Sequence, residues 1–198
     1  YQAKDNVSFD FGLHYSETSD YPRYDRLILY DTNNLKSAEW NYGPQKWFLA
    51  NLQFTKLSSN STLHDKIKVG AAYQSFQESR IDRNFNSLLR RKREELVDMM
   101  TLNVDFEKSI TDKSKLFYGL EYLYNKVHSK GLETNIVSSE SNRIASRYPD
   151  GSTWSSAAAY LSYKYKPNKE FTFQSGIRYN HIQIKADLTD NNVFYKDR

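Results

Sequence analysis

The segment Val7-Ser8-Phe9-Asp10-Phe11-Gly12-Leu13-His14-Tyr15-Ser16 alternates strictly between apolar and polar side chains. A period of two residues is typical of a β-strand that has one apolar and one polar face. The odd-numbered positions carry only aliphatic or aromatic residues, and the even-numbered positions carry Ser, Asp, Gly and His. We therefore predict a strand whose two faces meet different surroundings.

Six further segments alternate in the same way. Their positions on the apolar side are Phe48, Ala50, Leu52 and Phe54; Ile67, Val69, Ala71 and Tyr73; Met100, Leu102, Val104 and Phe106; Leu116, Tyr118, Leu120, Tyr122 and Tyr124; Ala159, Leu161, Tyr163 and Tyr165; and Phe171, Phe173, Ser175, Ile177 and Tyr179. None of these positions is charged, whereas the opposite positions include Asp10, Lys68, Asp105, Glu121 and Arg178. Because a slip of one residue would exchange the two faces, this segregation predicts seven strands with a well-defined register.

The connections between the segments alternate in length. The long connections are 16–47, 74–99 and 125–158, and the short ones are 55–66, 107–115 and 166–170. In an up-and-down sheet this order places every long loop at one end and every tight turn at the other. Outer-membrane barrels have this arrangement, with short periplasmic turns and longer extracellular loops. We predict an all-β, antiparallel, up-and-down transmembrane β-barrel.

Aromatic residues lie at both ends of the predicted strands. The chain has 16 Tyr and 11 Phe although its mean hydropathy is only −0.81. With the first strand ascending, one group forms the extracellular girdle: Tyr15, Phe48, Tyr73, Tyr124 and Tyr179. A second group forms the periplasmic girdle: Phe54, Phe106, Tyr118, Tyr163, Tyr165, Phe171 and Phe173. Aromatic rings favour the headgroup level of a membrane, so two girdles support a membrane-spanning sheet.

Several classes of protein are excluded by composition. The chain has no Cys, which excludes disulfides, zinc–thiolate sites, iron–sulfur clusters and a cysteine nucleophile. It lacks a run of 18 apolar residues, so no transmembrane helix is predicted. It also lacks a phosphate-binding glycine loop, a Gly-x-Ser-x-Gly elbow and a His-Glu-x-x-His motif, and we predict that it is not an enzyme.

The basic run Arg90-Arg91-Lys92-Arg93 is followed directly by Glu94 and Glu95. Acidic neighbours weaken a nucleic-acid interpretation, so no nucleic-acid partner is predicted. We expect the run to lie in an exposed loop, where lipopolysaccharide phosphates would attract it. Leu88 to Met100 also fits a short amphipathic helix leading into the fourth strand.

The predicted sheet is not a closed barrel. Bacterial single-chain barrels have even strand numbers. A sheet edge does not stay unpaired in lipid, because exposed N–H and C=O groups cannot be solvated there. The chain begins on Tyr1, lacks an export signal, and ends at Tyr195-Lys196-Asp197-Arg198 without closing. We expect residues 1–198 to be a partial barrel domain, an incomplete stretch of a larger barrel.

Four clusters near the long connections carry a family resemblance. They are Arg23-Tyr24-Asp25-Arg26-Leu27, Trp40-Asn41-Tyr42-Gly43-Pro44-Gln45, Gln77-Glu78-Ser79-Arg80-Ile81-Asp82-Arg83 and Arg147-Tyr148-Pro149-Asp150-Gly151-Ser152-Thr153-Trp154. These clusters resemble mid-barrel segments of TonB-dependent outer-membrane receptors, especially those for haem and related iron compounds. The resemblance implies a 22-stranded barrel with an amino-terminal plug, energised by an inner-membrane TonB complex. Neither the plug nor the barrel-closing strands lie within residues 1–198.

This resemblance also implies a function. The long loops would capture a scarce, large ligand, either haem or an iron–siderophore complex first and cobalamin second. The ligand would be cargo, with no permanently bound cofactor. The location would be the outer membrane of a Gram-negative bacterium, in contact with its lipid and lipopolysaccharide. Two alternatives remain: a passive outer-membrane porin, or a soluble extracellular all-β binding module whose apolar stripes meet in a core.

Candidate ligand contacts lie on the polar face toward the extracellular end. They are His14, Gln74, Asn125, Trp154, Arg178 and Asn180, with His128 at the base of the longest loop. Haem iron is commonly held by a histidine, and His14, His128 and His181 are all placed toward that end. The pairs Arg23/Asp25 and Arg80/Asp82 either brace the loops or contact the ligand.

Overall fold

The computed structural model describes residues 2–188, and almost every regular element in this range is a β-strand. In chain order the elements are β1 (Gln2–Lys4), β2 (Val7–Glu17), β3 (Tyr21–Pro22), the short helix α1 (Tyr24–Leu27), β4 (Tyr30–Asp31), β5 (Asn34–Leu35), β6 (Ser37–Tyr42), β7 (Lys46–Leu57), β8 (Lys66–Asn84), β9 (Leu89–Thr111), β10 (Ser114–Asn135), β11 (Ser141–Arg143), β12 (Thr153–Tyr165) and β13 (Phe173–Lys185). Residues 195–198, where the sequence is predicted to end without closing the barrel, lie outside the described residues.

Seven long strands form one antiparallel meander. Their hydrogen-bonded order is β2-β7-β8-β9-β10-β12-β13, which is also their order along the chain. Each predicted segment lies in one of these strands, except that Phe171 precedes the start of β13. The predicted all-β, antiparallel, up-and-down architecture of about seven strands is therefore confirmed.

Strand register brings the predicted apolar positions onto one surface. Across five neighbouring strands, Phe11 pairs with Leu52, Leu52 with Ala71, Ala71 with Leu102, and Leu102 with Tyr122. Directly opposite residues of an antiparallel pair share a face of the sheet. The apolar stripes of the individual strands thus join into a continuous face, and the polar positions join on the other.

The apolar face is not covered by another layer. Phe11 is 68% exposed, Leu13 63% and Ile177 74%. Within residues 2–188 the buried hydrophobic residues are only Ile81 and Ala158, and the only second sheet is the small β4–β5 hairpin. Within residues 2–188 these side chains therefore meet no opposing sheet, whereas a soluble module would need its apolar stripes to meet in a core.

The predicted long connection 74–99 is largely strand. β8 continues to Asn84 and β9 begins at Leu89, so only residues 85–88 turn the chain. The predicted amphipathic helix from Leu88 is also wrong, since residues 89–100 belong to β9. Beyond the hydrocarbon layer neither face of a strand has to be apolar. The alternation therefore disappears from the sequence, although the backbone hydrogen bonds continue.

No helix among residues 2–188 is both long enough and apolar enough to cross a membrane.

Two connections fold against the strand extensions. In the first, β6 pairs with the upper part of β8, with Tyr42 opposite Arg80. In the second, the segment 136–152 lies back over β10, where the backbone N–H of Ile144 donates to the carbonyl of Gly131 at 3.0 Å. A Cβ on Gly131 would lie 2.6 Å from the carbonyl oxygen of Ala145. A glycine is needed at position 131 because the segment approaches the strand so closely.

Candidate ligand-binding face

A tyrosine bridges three strands on the polar face. Tyr160 of β12 donates a hydrogen bond of 2.7 Å from its hydroxyl to Oδ1 of Asp105 on β9. Gly119 of β10 lies opposite both residues. A Cβ on Gly119 would lie 2.6 Å from Cε1 of Tyr160, so the ring crosses the sheet over the missing side chain.

Two of the predicted ligand contacts, Arg178 and Asn180, lie together near this bridge. Arg178 donates from Nη2 to Oε1 of Glu121 at 2.6 Å and from Nε to Oδ1 of Asn180 at 2.8 Å. The side chains of Arg178 and Glu121 are both exposed on the polar face, so water screens their ion pair. The arrangement fixes the direction of the guanidinium group.

Two further predicted residues, His14 and Gln74, are joined through Trp47. The rings of His14 and Trp47 lie 4.7 Å apart between centroids. The indole N–H of Trp47 donates to Oε1 of Gln74 at 3.3 Å. Trp47 was not predicted, because it lies one position outside the segment that begins at Phe48.

Asn125 and Trp154 are directly opposite each other on β10 and β12. The side-chain oxygen of Asn125 is buried and has no hydrogen-bond partner among the described residues, and the same holds for Asn103 on β9. Buried polar groups are rarely left unpaired. Both amide oxygens are buried, so a hydrogen-bond donor would have to reach below the polar surface to pair with them.

His128 lies apart from the other six predicted residues. Its side chain lies on the same face of β10 as Tyr124, and its partner across the strands is Leu96 of β9. Its Nδ1 is 3.7 Å from Oδ1 of Asp150. His181 is likewise on the side of Tyr179. Among residues 2–188 no three His, Asp or Glu side chains are grouped as metal ligands would be. A ligand role for the histidines stays a prediction.

Arginines surround a cavity at the extracellular end of the polar face. Its volume is about 240 Å³, and its lining consists of Trp40, Arg80, Ile81, Asp82, Arg93 and Arg147. Arg80 and Arg93 are directly opposite each other on β8 and β9, whereas Arg147 comes from the segment 136–152. Three separate elements therefore bring guanidinium groups to one place.

Aromatic rings hold the arginines at this end. The guanidinium carbon of Arg23 is 5.4 Å from the centroid of Trp40 and 5.1 Å from that of Tyr42, and the guanidinium carbon of Arg80 is 4.7 Å from the latter. Such contacts are cation–π interactions. Asp25 accepts two hydrogen bonds from Arg23, at 2.7 and 2.6 Å, and these bonds lower the pKa of Asp25.

The two predicted Arg–Asp pairs have different outcomes. The Arg23/Asp25 pair is present and braces the connection between β3 and α1. Arg80 does not pair with Asp82; its Nε donates to Glu78 at 3.0 Å. Asp82 instead binds Arg93 at 3.3 Å and Arg91 at 3.0 Å.

Glu95 is the buried acid of this region. Its side chain is 8% exposed, and neither carboxylate oxygen has a hydrogen-bond partner within the described residues. Arg147 lies 3.6 Å away. Loss of water raises the pKa of Glu95, and the nearby Arg147 and Arg80 oppose that shift only in part.

The basic run predicted to lie in an exposed loop is divided between the two faces of β9. Arg91 and Arg93 lie on the polar face with Asp82. Arg90 points to the other side and donates to Glu39 at 2.8 Å, and Lys92 pairs with Glu94 at 2.9 Å. Because the run continues β9 instead of forming a loop, alternation separates its charges.

The comparison with protein families agrees with this architecture. The sequence model of the Outer membrane protein beta-barrel family matches residues 53–198. Among solved structures, the chain is similar to the copper transporter OprC, with 11% sequence identity and a TM-score of 0.45. That similarity covers 94% of this chain and 39% of the OprC chain. No curated protein matches the chain.

Proposed function

The chain belongs to the Outer membrane protein beta-barrel family, and from this premise we propose that it forms part of the wall and extracellular loops of a TonB-dependent transporter. It lies in the outer membrane, and its apolar face contacts lipid. The proposed cargo is a scarce, large ligand, either haem or an iron–siderophore complex first and cobalamin second. In this proposal the barrel binds and admits its cargo without catalysing a reaction, and no cofactor is permanently bound.

One observation carries the proposal: the polar face is a hydrogen-bonded surface that runs from Asp105 up to the cavity at Arg93. In a sheet with lipid on one side, the other side faces the interior of the barrel. Small barrels fill that interior with side chains, whereas larger barrels enclose a channel or a plug. A polar surface that ends in an arginine-lined cavity suits an entrance for a charged ligand.

The proposed barrel is larger than the sheet seen here. Among the described residues the long strands at the two ends of the meander, β2 and β13, do not pair with each other. Since lipid does not tolerate open edges, we propose that residues 1–198 are a partial barrel domain. Other parts of the protein supply the remaining strands, to a proposed total of 22, and the plug through which the TonB complex acts.

The outward side of the extensions is proposed to face the lipopolysaccharide layer. Arg90 and Lys92 lie on that side, above the apolar band. Each is already paired with a carboxylate, as described above, so contact with lipopolysaccharide phosphates would be an exchange of partners. The proposal includes no nucleic-acid partner.

Uptake measurements test the transport function. The gene for the full-length protein is deleted, and accumulation of labelled haem, labelled ferric siderophores and labelled cobalamin is followed in nutrient-limited cells, with and without a protonophore. We expect accumulation of one of these ligands to be lost in the deletion strain and in the protonophore-treated parent, and to be restored by the gene. Uptake that continues unchanged in the deletion strain would overturn the proposal. Uptake that does not respond to the protonophore, together with a steadily conducting pore in planar bilayers, would support a passive porin instead.

A further inference from the structure

We propose that the cavity between Arg80, Arg93 and Arg147 binds an oxyanion that carries several carboxylate or phosphate groups. The inference rests on the proposed function, because it assigns an anionic group to the transported ligand. The proposed site lies at the extracellular end of the polar face and does not include the histidines. The argument depends on how the three guanidinium groups are placed, held and left with free donors.

Charge at the cavity wall favours an anion. Three guanidinium groups line it, together with one carboxylate, that of Asp82. A guanidinium group presents a planar fork that matches carboxylate and phosphate oxygens with two parallel hydrogen bonds. The volume of about 240 Å³ is smaller than that of pockets enclosing whole ligands of drug size. The cavity therefore suits an anionic arm of a larger ligand or a small free anion.

Two of the three arginines, Arg80 and Arg93, are held in position before a ligand arrives. Arg80 donates to Glu78 and stacks on Tyr42, as described above. Arg93 donates from Nη1 to Asp82 and from Nε to the carbonyl of Ala145 at 3.4 Å. Side chains that are already ordered lose little conformational entropy on binding. The two arginines thus differ from mobile surface cations.

Donor groups remain unused on these side chains. A guanidinium group has five N–H donors. Within the part of the chain that the structure describes, Arg80 forms a hydrogen bond only through Nε, which leaves both of its Nη groups available. Arg93 uses Nε and one Nη group and keeps the other. An anion can bind here without displacing the carboxylates that hold the arginines.

Arg147 is only partly neutralised. Its distance of 3.6 Å to Glu95 is longer than a normal hydrogen bond. Burial shifts Glu95 toward its neutral form, which weakens the compensation further. Arg147 also stacks on Tyr148, with 5.1 Å between the guanidinium carbon and the ring centroid. A ligand oxyanion at the cavity would supply the counter-charge that Glu95 supplies poorly.

The position of the cavity favours a ligand that enters the barrel over a lipid headgroup. Trp40, Arg80 and Arg93 all lie on the polar face, on the side away from lipid. The outward side of the same strands carries Arg90, which is already paired with Glu39. Lipopolysaccharide phosphates would meet Arg90 before they could reach the cavity.

Titration calorimetry of the full-length protein in detergent tests the inference. The probes are tricarballylate, which carries three carboxylates, inorganic pyrophosphate, and the neutral triamide of tricarballylate. The variants are Arg93→Gln and Arg147→Gln, and the matched control is Arg90→Gln, on the same strand as Arg93 but on the other face. The intact protein should bind at least one of the anions saturably. The dissociation constant should rise at least about tenfold in both variants, because a lost hydrogen bond to a charged group has this effect.

Each outcome decides the matter. Binding of tricarballylate alone identifies a carboxylate ligand, and binding of pyrophosphate alone identifies a phosphate ligand. The inference fails if neither anion binds, if the triamide binds as tightly, or if Arg90→Gln weakens binding as much as Arg93→Gln. Retention of heat-sensitive migration in a detergent gel shows that a variant is folded, and Arg80→Gln replaces any variant that is not. Failure of the proposed transport function is separate, since it would appear as unchanged uptake in the deletion strain whatever the calorimetry gives.

Discussion

The hydroxyl of Tyr160 reaches Asp105 at 2.7 Å across an intervening strand. The ring passes over Gly119, and the contact ties β9, β10 and β12 together on the polar face. Because Tyr160 lies flat along the sheet, it closes the space above Gly119 and does not project into the interior. The same device, a glycine beneath a crossing group, recurs at Gly131, where the segment 136–152 approaches β10.

Gly119→Ala should destabilise the barrel. The new Cβ would lie 2.5 Å from the carbonyl oxygen of Val104 and 2.6 Å from the ring of Tyr160, and overpacking of this kind costs about 1 to 3 kcal/mol. Urea unfolding of the full-length protein in lipid measures the change. Gly70→Ala is the matched control, because a Cβ at Gly70 meets nothing within 4 Å. Equal stability of the two variants would contradict the packing described here.

Gly131→Ala should release the segment 136–152 from the polar face. The added Cβ would lie 2.6 Å from the carbonyl oxygens of Ile144 and Ala145, so the segment must move away and take Arg147 with it. Limited proteolysis of the folded protein should cut this segment several times faster than in the parent, while Gly70→Ala leaves the rate unchanged. A cleavage rate in Gly131→Ala equal to that of the parent would show that the segment does not depend on the close approach.

Glu95 should make the packing of the same segment depend on pH. Its pKa is raised above the ordinary 4.5, so the folded form binds a proton more tightly than the opened form does. The stabilising effect of the proton is therefore full below pH 4.5 and is lost as pH rises through the raised value. The charged groups facing Glu95 are Glu78 and Arg80 of β8 and Arg147 of the segment itself.

Hydrogen exchange of the segment 136–152 measures this dependence. In the parent, the protection of its amides, corrected for intrinsic exchange, should fall as pH rises above 4.5, whereas Glu95→Gln should give a flat profile over that range. Glu94→Gln is the control, because Glu94 lies on the opposite face and pairs with Lys92. A parent profile as flat as that of Glu95→Gln would remove the assignment.

The histidines should differ in their effect on haem uptake. His14 lies on the polar face beside Trp47, whereas His128 and His181 alternate onto the other side. If haem is the cargo and a histidine contacts it, His14→Ala should reduce uptake several-fold, and His128→Ala and His181→Ala should leave it unchanged. Unchanged uptake in all three variants would remove the histidine hypothesis.

The membrane-spanning part of the fold could be predicted from the sequence because lipid imposes a rule on every second residue. Positions such as Phe11, Leu102 and Leu120 must be apolar, and their partners across the strands repeat the pattern. Outside the hydrocarbon layer that constraint ends. The sequence therefore predicts loops for the upper halves of β8, β9 and β10, although backbone pairing continues to Asn84 on β8, Leu89 on β9 and Asn135 on β10.

The candidate site could be predicted only in part. The clusters around Arg80 and Arg147 were recognised as loop-proximal motifs, but their partners depend on distant residues. Arg80 has Glu78 and Asp82 at equal separations along its strand, and the sequence alone does not decide between them. Asp82 is taken by Arg91 and Arg93 because β9 lies alongside. The approach of Arg147 depends on the turn of a whole segment over Gly131, for which alternation gives no signal.

The central claim is that hydrocarbon contacts the side of the sheet that carries Leu120, while the side that carries Glu121 faces a polar interior. The measurement is the accessibility of spin labels attached to Leu120→Cys and Glu121→Cys in the full-length protein, in lipid bilayers, to oxygen and to a water-soluble nickel chelate. The label at position 120 should collide mainly with oxygen, and the label at position 121 mainly with the chelate. Equal accessibility at the two neighbouring positions, or a chelate-accessible label at position 120, would contradict the account.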